Sequence, residues 1–271
     1  MSTRHRTFAA PILSAAVATL TVVVPAGPGH TEARSSGIVV PIGANATKSS
    51  NWAGYNQGAV EKGALFTSIS GNWTVPTARQ HTAHQAEAWI GIGGGCPESK
   101  CLVPSVTLIQ EGTEQDVGKR GRAHYSAWWE LIPAPSVTIT SLAIHPGDRI
   151  HASIAETVPG SNVWVMSMKN LTTGKSWSQT VPYTSSHDTA EWIVETPLTF
   201  GTGGAGLADM PSLSTVRFDR ARVNGARAGL AASQKMLLVN SKNRPVATPS
   251  APDSQRDGFN VCTYRSRCPA P

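Results

Sequence analysis

Short stretches in which apolar and polar positions alternate recur along most of the chain, separated by Gly, Pro, Asn and Ser. Period-two alternation with such punctuation is the pattern of strands that bury one face. It predicts strands within Gly63–Pro76 (GALFTSISGNWTVP), Pro135–Asp148 (PSVTITSLAIHPGD), Asp148–Val158, Asn162–Val181, Ser214–Val223 and Gln234–Asn240. Thr172-Thr173-Gly174 lies between two alternating runs and reads as a hairpin turn. Helical spacing is nearly absent, and Asn243–Asp257 reads as an exposed loop. Many antiparallel strands without helices must bury their apolar faces against one another, so the expected fold is all-β with two packed sheets.

The N-terminus differs from this pattern. Arg4, His5 and Arg6 precede a mainly apolar run from Phe8 to Val24, broken by Pro11 and Ser14 and ended by Pro25. This is the layout of an export signal over residues 1–33, with cleavage expected after Ala26 or Ala33. Residues 34–49, rich in Ser, Gly, Pro and Ala, are expected to be a short linker, and residues 50–271 one β-domain. About 220 residues suit a single sandwich. The mature protein is expected to be secreted, free of the membrane once the signal is removed, and monomeric.

Charge adds little. Removing residues 1–26 takes away Arg4 and Arg6 and no acid, lowering the net charge from +6 to +4. The remaining Lys and Arg are scattered without a basic block, so no nucleic-acid partner is expected. Four cysteines form two close pairs, Cys96 with Cys101 and Cys262 with Cys268. In an exported chain such pairs point to local disulfides, although the sequence permits three connectivities. Neither pair has the two-residue spacing of a zinc ribbon, and no metal or cofactor is expected. Asn45, Asn72 and Asn170 stand in Asn-x-Ser/Thr sequons, which matter in a glycosylating host.

Familiar hydrolase signatures are missing: the sequence has no GxSxG, HExxH, Asp-Thr-Gly, Asp-Ser-Gly or GxxxxGK. His81 and His84 fall in a polar stretch, RQHTAHQ, and are read as loop residues. Three polar intrusions into apolar strand faces carry the candidate chemistry. In TAEWIVET, Glu191, Ile193 and Glu195 share one face, while Trp192 and Val194 share the other. In AWWELIP, Glu130 lies on a face with Trp128 and Ile132; in VTLIQEG, Gln110 lies on a face with Leu108.

These segments resemble, in order, those of the eqolisin or glutamic peptidase family. SNWAGY (Ser50–Tyr55) resembles its opening strand, AWIGIGGG (Ala88–Gly95) its Trp-x-Gly-Ile strand and TLIQEG (Thr107–Gly112) the strand with its glutamine. AWWELIP (Ala127–Pro133) resembles its Trp- and Glu-bearing strand, NLTTGKS (Asn170–Ser176) its hairpin and AEWIVET (Ala190–Thr196) the strand with its catalytic glutamate. The resemblance implies curved antiparallel sheets, jelly-roll-like, with a polypeptide substrate across the concave face. It implies an endopeptidase with Glu195 as general base and acid and Gln110 as oxyanion donor; repulsion between Glu130 and Glu195, if they lie close, is expected to favour activity in acid. Trp89 and Trp128 are expected at the substrate cleft, with Glu130 supporting the dyad. Gly93 stands where the family commonly has Asp, Glu114 where a family Asp lies near the glutamine, and Ile132 where it has an aromatic residue. Two rivals fit the residues without the resemblance: a jelly-roll glycosidase using Glu130 and Glu195 as its paired carboxyl groups, and a secreted binding sandwich presenting tryptophans.

Overall fold

The computed structural model describes residues 48–98, 105–201 and 204–271. The expected signal and nearly all of the linker, with Asn45, lie outside these residues. Among the described residues there are fifteen strands of four or more residues: β1 (Trp52–Gly58), β2 (Ser68–Thr74), β3 (Glu87–Gly93), β4 (Leu108–Val117), β5 (Ala123–Leu131), β6 (Arg149–Glu156), β7 (Val163–Asn170), β8 (Ser176–Pro182), β9 (Thr189–Glu195), β10 (Leu198–Gly201), β11 (Gly204–Leu207), β12 (Val216–Val223), β13 (Lys235–Val239), β14 (Pro245–Pro249) and β15 (Phe259–Thr263), of which β10 and β11 pair only with each other. Among the described residues the only α-helix is the single turn Ala59–Lys62, and no helix is long and apolar enough to cross a membrane.

The expected all-β sandwich is present, with its two sheets joined along one edge. The hydrogen-bonded order is β8-β7-β6-β2-β12-β15-β14-β13-β1-β9-β3-β4-β5. Strand β13 pairs with β1 through Met236↔Gly54 and with β14 through Leu238↔Ala247, so it belongs to both layers. The ladders along this order are antiparallel; the short Lys48–Ser49 segment adds a parallel pairing to β13. The two layers close on a core that includes Tyr55, Trp73, Ile90, Ile109, Ile154, Trp164, Trp192 and Phe218.

The layers use their strands differently. In β6 and β7, buried and more exposed residues alternate, as in a sheet with one wet face. Strands β1, β3 and β9 are buried at every position. Their second face lies under a separate apolar cluster of Trp52, Trp89, Leu108, Trp128, Ile193 and Met236, with Ile132 against it.

Two expectations change. Pro135–Asp148 supplies only the pair Val137–Thr138 to a sheet. Ile139, Leu142 and Ile144 instead pin an irregular segment to the core, since spacings of three and two cannot hold one strand face. Conversely, Asn243–Asp257 is not all exposed loop. It contains β14, whose Ala247, Thr248 and Pro249 are buried and pair with β15. Its prolines sit at the strand ends, where a missing N–H is tolerated.

The predicted hairpin forms between β7 and β8, with Gly174 at φ 76° and Asn170 Oδ1 accepting from the N–H groups of Thr172 and Thr173. Asn170 is fully buried and donates to Asp148 Oδ2 at 2.7 Å, so the folded chain does not offer that sequon. Asn72 is likewise buried, against His151. Cys262 and Cys268 are bonded to each other, and Cys96 is also oxidised. Its expected partner Cys101 lies outside the described residues.

Candidate active site

The second face of β1, β9, β3, β4 and β5 carries the polar intrusions seen in the sequence. Register fixes their positions: Glu195 pairs with Glu87, and Glu87 with Glu114. Four residues along, and so on the same face, Glu191 faces Gly91, Gly91 faces Gln110, and Gln110 faces Glu130. Alternation sends Trp192 and Val194 into the core and Ile193 into the second apolar cluster. Glu195 therefore stands on the same side as Gln110 and Glu130, and long side chains on this face reach across the rows.

One narrow cleft is lined by Glu87, Gln110, Trp128, Glu130 and Glu195, together with Ser136, Pro197 and Leu198. Its volume is about 20 Å³, room for a single water-sized group. Gln110 Nε2 donates to Glu130 Oε2 at 2.6 Å. That bond sets which way the amide faces: nitrogen toward Glu130, with one N–H still to give. Gln110 Oε1 is buried and accepts no hydrogen bond from the described protein.

Both oxygens of Glu195 are held. Asn51 Nδ2 donates to Oε1 at 3.1 Å and Trp89 Nε1 to Oε2 at 2.8 Å. Ser49 Oγ donates to Asn51 Oδ1 at 2.9 Å, which fixes the Asn51 amide with its nitrogen toward Glu195. Burial, and then the charge of Glu130, push the Glu195 carboxyl above the usual range, while the bonds from Trp89 and Asn51 pull it back. The result is a carboxyl group that is oriented like an ionised one and yet holds a proton more readily than a surface glutamate.

The residues expected at the site divide accordingly. Glu195, Gln110, Glu130 and Trp128 meet in the cleft; Trp89 is fully buried beneath it and acts on Glu195. Glu114 is placed beyond Glu87 in the row rather than among the lining residues. Ile132 packs on the apolar cluster beside the site. Gly93 has φ 92°, and a Cβ there would lie 2.0 Å from the Thr107 carbonyl oxygen. This backbone cannot take the aspartate that the family commonly has at that point. His81 and His84 are exposed or half-buried residues away from the cleft lining.

Sequence reasoning missed Glu87 and Asn51. Glu87 follows the rule that singled out Gln110: two positions before Trp89, it is a polar residue on an otherwise apolar face. Asn51 lies just before β1, and its contact is 144 positions away.

A family model described as Peptidase A4 matches residues 50–261. Aspergillopepsin-2 of Aspergillus niger is 30% identical over 56% of this chain and 57% of its own length. Scytalidopepsin B of Scytalidium lignicola is 30% identical over 55% and 53%. The chain thus spans a little over half the length of these curated relatives. Among solved structures, scytalido-glutamic peptidase with a transition state analog inhibitor superposes with a TM-score of 0.61 at 23% identity, over 79% of this chain and 98% of that one. Aspergilloglutamic peptidase from Aspergillus niger gives 0.53 at 25% identity, over 66% and 99%. With the matched segment covering most of its length and the sandwich shared, this chain belongs to the Peptidase A4, or eqolisin, family.

Proposed function

We propose that the chain is an exported glutamic endopeptidase that cleaves polypeptides in acid, using Glu195 and Gln110 and no cofactor. The observation that carries this reading is the convergence of Glu195, Gln110 and Glu130, from three strands, on one water-sized cleft. Peptide hydrolysis needs an activated water and a donor for the oxyanion that forms when water attacks the carbonyl carbon. Ionised Glu195 takes a proton from water as the C–O bond forms. As the C–N bond breaks, the same carboxyl group returns that proton to the leaving amine. The free N–H of Gln110 donates to the oxyanion, and its unpartnered Oε1 accepts from the incoming water. Glu130 keeps the amide turned the right way.

The pair Glu130 and Glu195 works best when it shares one proton. With both protonated there is no base; with both ionised, two negative charges oppose oxyanion formation. The expected profile is a bell.

The test is hydrolysis of a denatured protein across pH by wild type, Glu195→Gln and Gln110→Ala. Glu195→Gln is expected to abolish turnover with a melting temperature that matches wild type in acid, and Gln110→Ala to slow turnover by about a hundred- to a thousandfold. A fully active Glu195→Gln protein would overturn the assignment.

A further inference from the structure

The outer face of the other layer carries a second, larger cavity that the peptidase reading leaves unused. Strands β12, β2, β6 and β7 lie side by side there. One cross-strand row reads Asp219, Asn72, His151, Lys169, and in the next Thr74 faces Arg149. Arg217 projects from β12 beside them. Between the rows lies a cavity of about 240 Å³ lined by Asn72, Trp73, Thr74, Arg149, Arg217 and Asp219.

Three features define what would fit it. First, Arg149 and Arg217 are exposed, and neither guanidinium has an ion pair or hydrogen bond among the described residues. Lys169 lies beside His151 in the row, and its charge and that of Arg220 add, after burial, to holding the His151 pKa down, so further positive charge lies near this face. Second, one end is acidic. The Asp219 carboxylate lies within 4.8 Å of those of Asp253 and Asp257, and Arg227 pairs with Asp257 at 3.4 Å. Third, the face is polar and lacks an aromatic platform: Trp73 is 2% exposed, and its Nε1 is turned inward to Thr113 Oγ1 at 3.0 Å. Among the described residues, no large apolar side chain of these four strands is exposed.

We propose that this face is a docking site for an acidic polysaccharide, with a uronate carboxylate between Arg149 and Arg217 and sugar hydroxyls on Asp219, Asn72 and Thr74. Guanidinium groups bind carboxylates through paired N–H donors, and an acidic acceptor beside them suits a ligand that carries hydroxyl donors as well as charge. A nucleic acid fits less well. Its evenly spaced phosphates would meet Asp219, and the imidazole of His151, half-buried and hydrogen-bonded to Asn72 Oδ1 at 2.7 Å, offers single-stranded bases little to stack on. The cavity lies just below the size of pockets for drug-like ligands, which suits one saccharide ring of a longer chain. Because both layers of the sandwich separate this face from the cleft, such binding would anchor the protein without occupying the active site.

The inference does not depend on peptidase activity, and its test reads binding directly. The purified protein is titrated with oligogalacturonate, with dextran as the neutral control and with double-stranded DNA and polyglutamate as other polyanions. Wild type is expected to bind the oligogalacturonate with an affinity that falls as salt rises, and to ignore dextran. Arg149→Ala/Arg217→Ala should lose at least about tenfold in affinity, since two charge-assisted contacts are removed. Arg149→Lys/Arg217→Lys should recover part of it. Hydrolysis of a soluble denatured protein and the melting temperature should match wild type in both double variants. Failure of wild type to bind, or equal binding by the alanine variant, would overturn the proposal. So would DNA or polyglutamate binding as tightly with the same dependence on both arginines, because the face would then recognise charge alone.

Discussion

Gln110 and Glu111 are neighbours on β4, yet one side chain enters the cleft and the other the space between the layers. Both regions bury carboxyl groups, and in both burial raises their pKa: Glu195 on the cleft side, Glu111 on the core side, the latter to about 8. What differs is the company. Glu195 has a donor on each oxygen and a second carboxyl group within electrostatic reach. Glu111 Oε1 accepts the Ser153 N–H at 2.9 Å and the Ser167 N–H also favours its charged form, but Oε2 makes no well-formed hydrogen bond among the described residues and no second carboxyl group faces it. A perturbed pKa alone does not mark chemistry here. Convergence of several polar side chains on an open space does, and the carboxyl group without that convergence is a matter of stability.

Neutralising the core side has the largest expected effect. Glu111 is raised from 4.5 to about 8 in the folded protein, so it contributes fully below its unfolded value. That contribution is lost as pH rises from about 4.5 to about 8, and the loss is on the order of 4 kcal/mol. Glu111→Gln is therefore expected to match wild type in melting temperature near pH 4 and to exceed it clearly at pH 8, with turnover at pH 4 unchanged. A thermal melt series across pH checks both. If Glu111→Gln instead abolished turnover at pH 4, where both side chains are neutral, the division between the faces of β4 would be wrong.

The two layers were also unequally legible. The outer layer's strands alternate because one face is wet, so β6, β7, β8 and their hairpin can be read directly from the sequence. The site layer's strands are apolar on both faces, and AWIGIGGG shows no alternation to read. What remains visible there is the exception. A glutamine or glutamate on a strand face of Leu, Ile and Trp stands out, as Gln110, Glu130 and Glu195 do. Asn51 gives no such signal, since it precedes its strand and belongs to an ordinary polar run, KSSNW. Strand β14 was lost to its own prolines. Glu111 follows Gln110 in a strand whose second face is also buried, and nothing local says that it points into the core.

On the cleft side, the informative change is Glu130→Gln. A glutamine there can still accept from Gln110 Nε2 through its own oxygen, so the orientation of the dyad amide survives. The second ionisation of the carboxyl pair disappears, and the alkaline limb of the pH–rate bell is expected to move out by at least about one pH unit while the acid limb stays. Because unfolding linked to Glu111 falls in the same alkaline range, the comparison is cleanest with Glu111→Gln present in both proteins.

Asn51→Ala should act on the opposite limb and more weakly. The Asn51 amide stabilises the charged form of Glu195, so its loss raises that carboxyl group further, and a base must be ionised to work. The acid limb of turnover is expected to shift to higher pH, and the maximum rate to fall about tenfold, the worth of one hydrogen bond to a charged group. Trp89 still holds the second oxygen, which is why the loss stays well short of that in Glu195→Gln. Since Asn51 acts through Glu195 and does not line the cleft, KM should change little. A rate loss of the same size with no movement of the acid limb would mean that Asn51 positions the β1 backbone, through the Ser49 contacts to the N–H groups of Asn51 and Trp52, rather than tuning the carboxyl group.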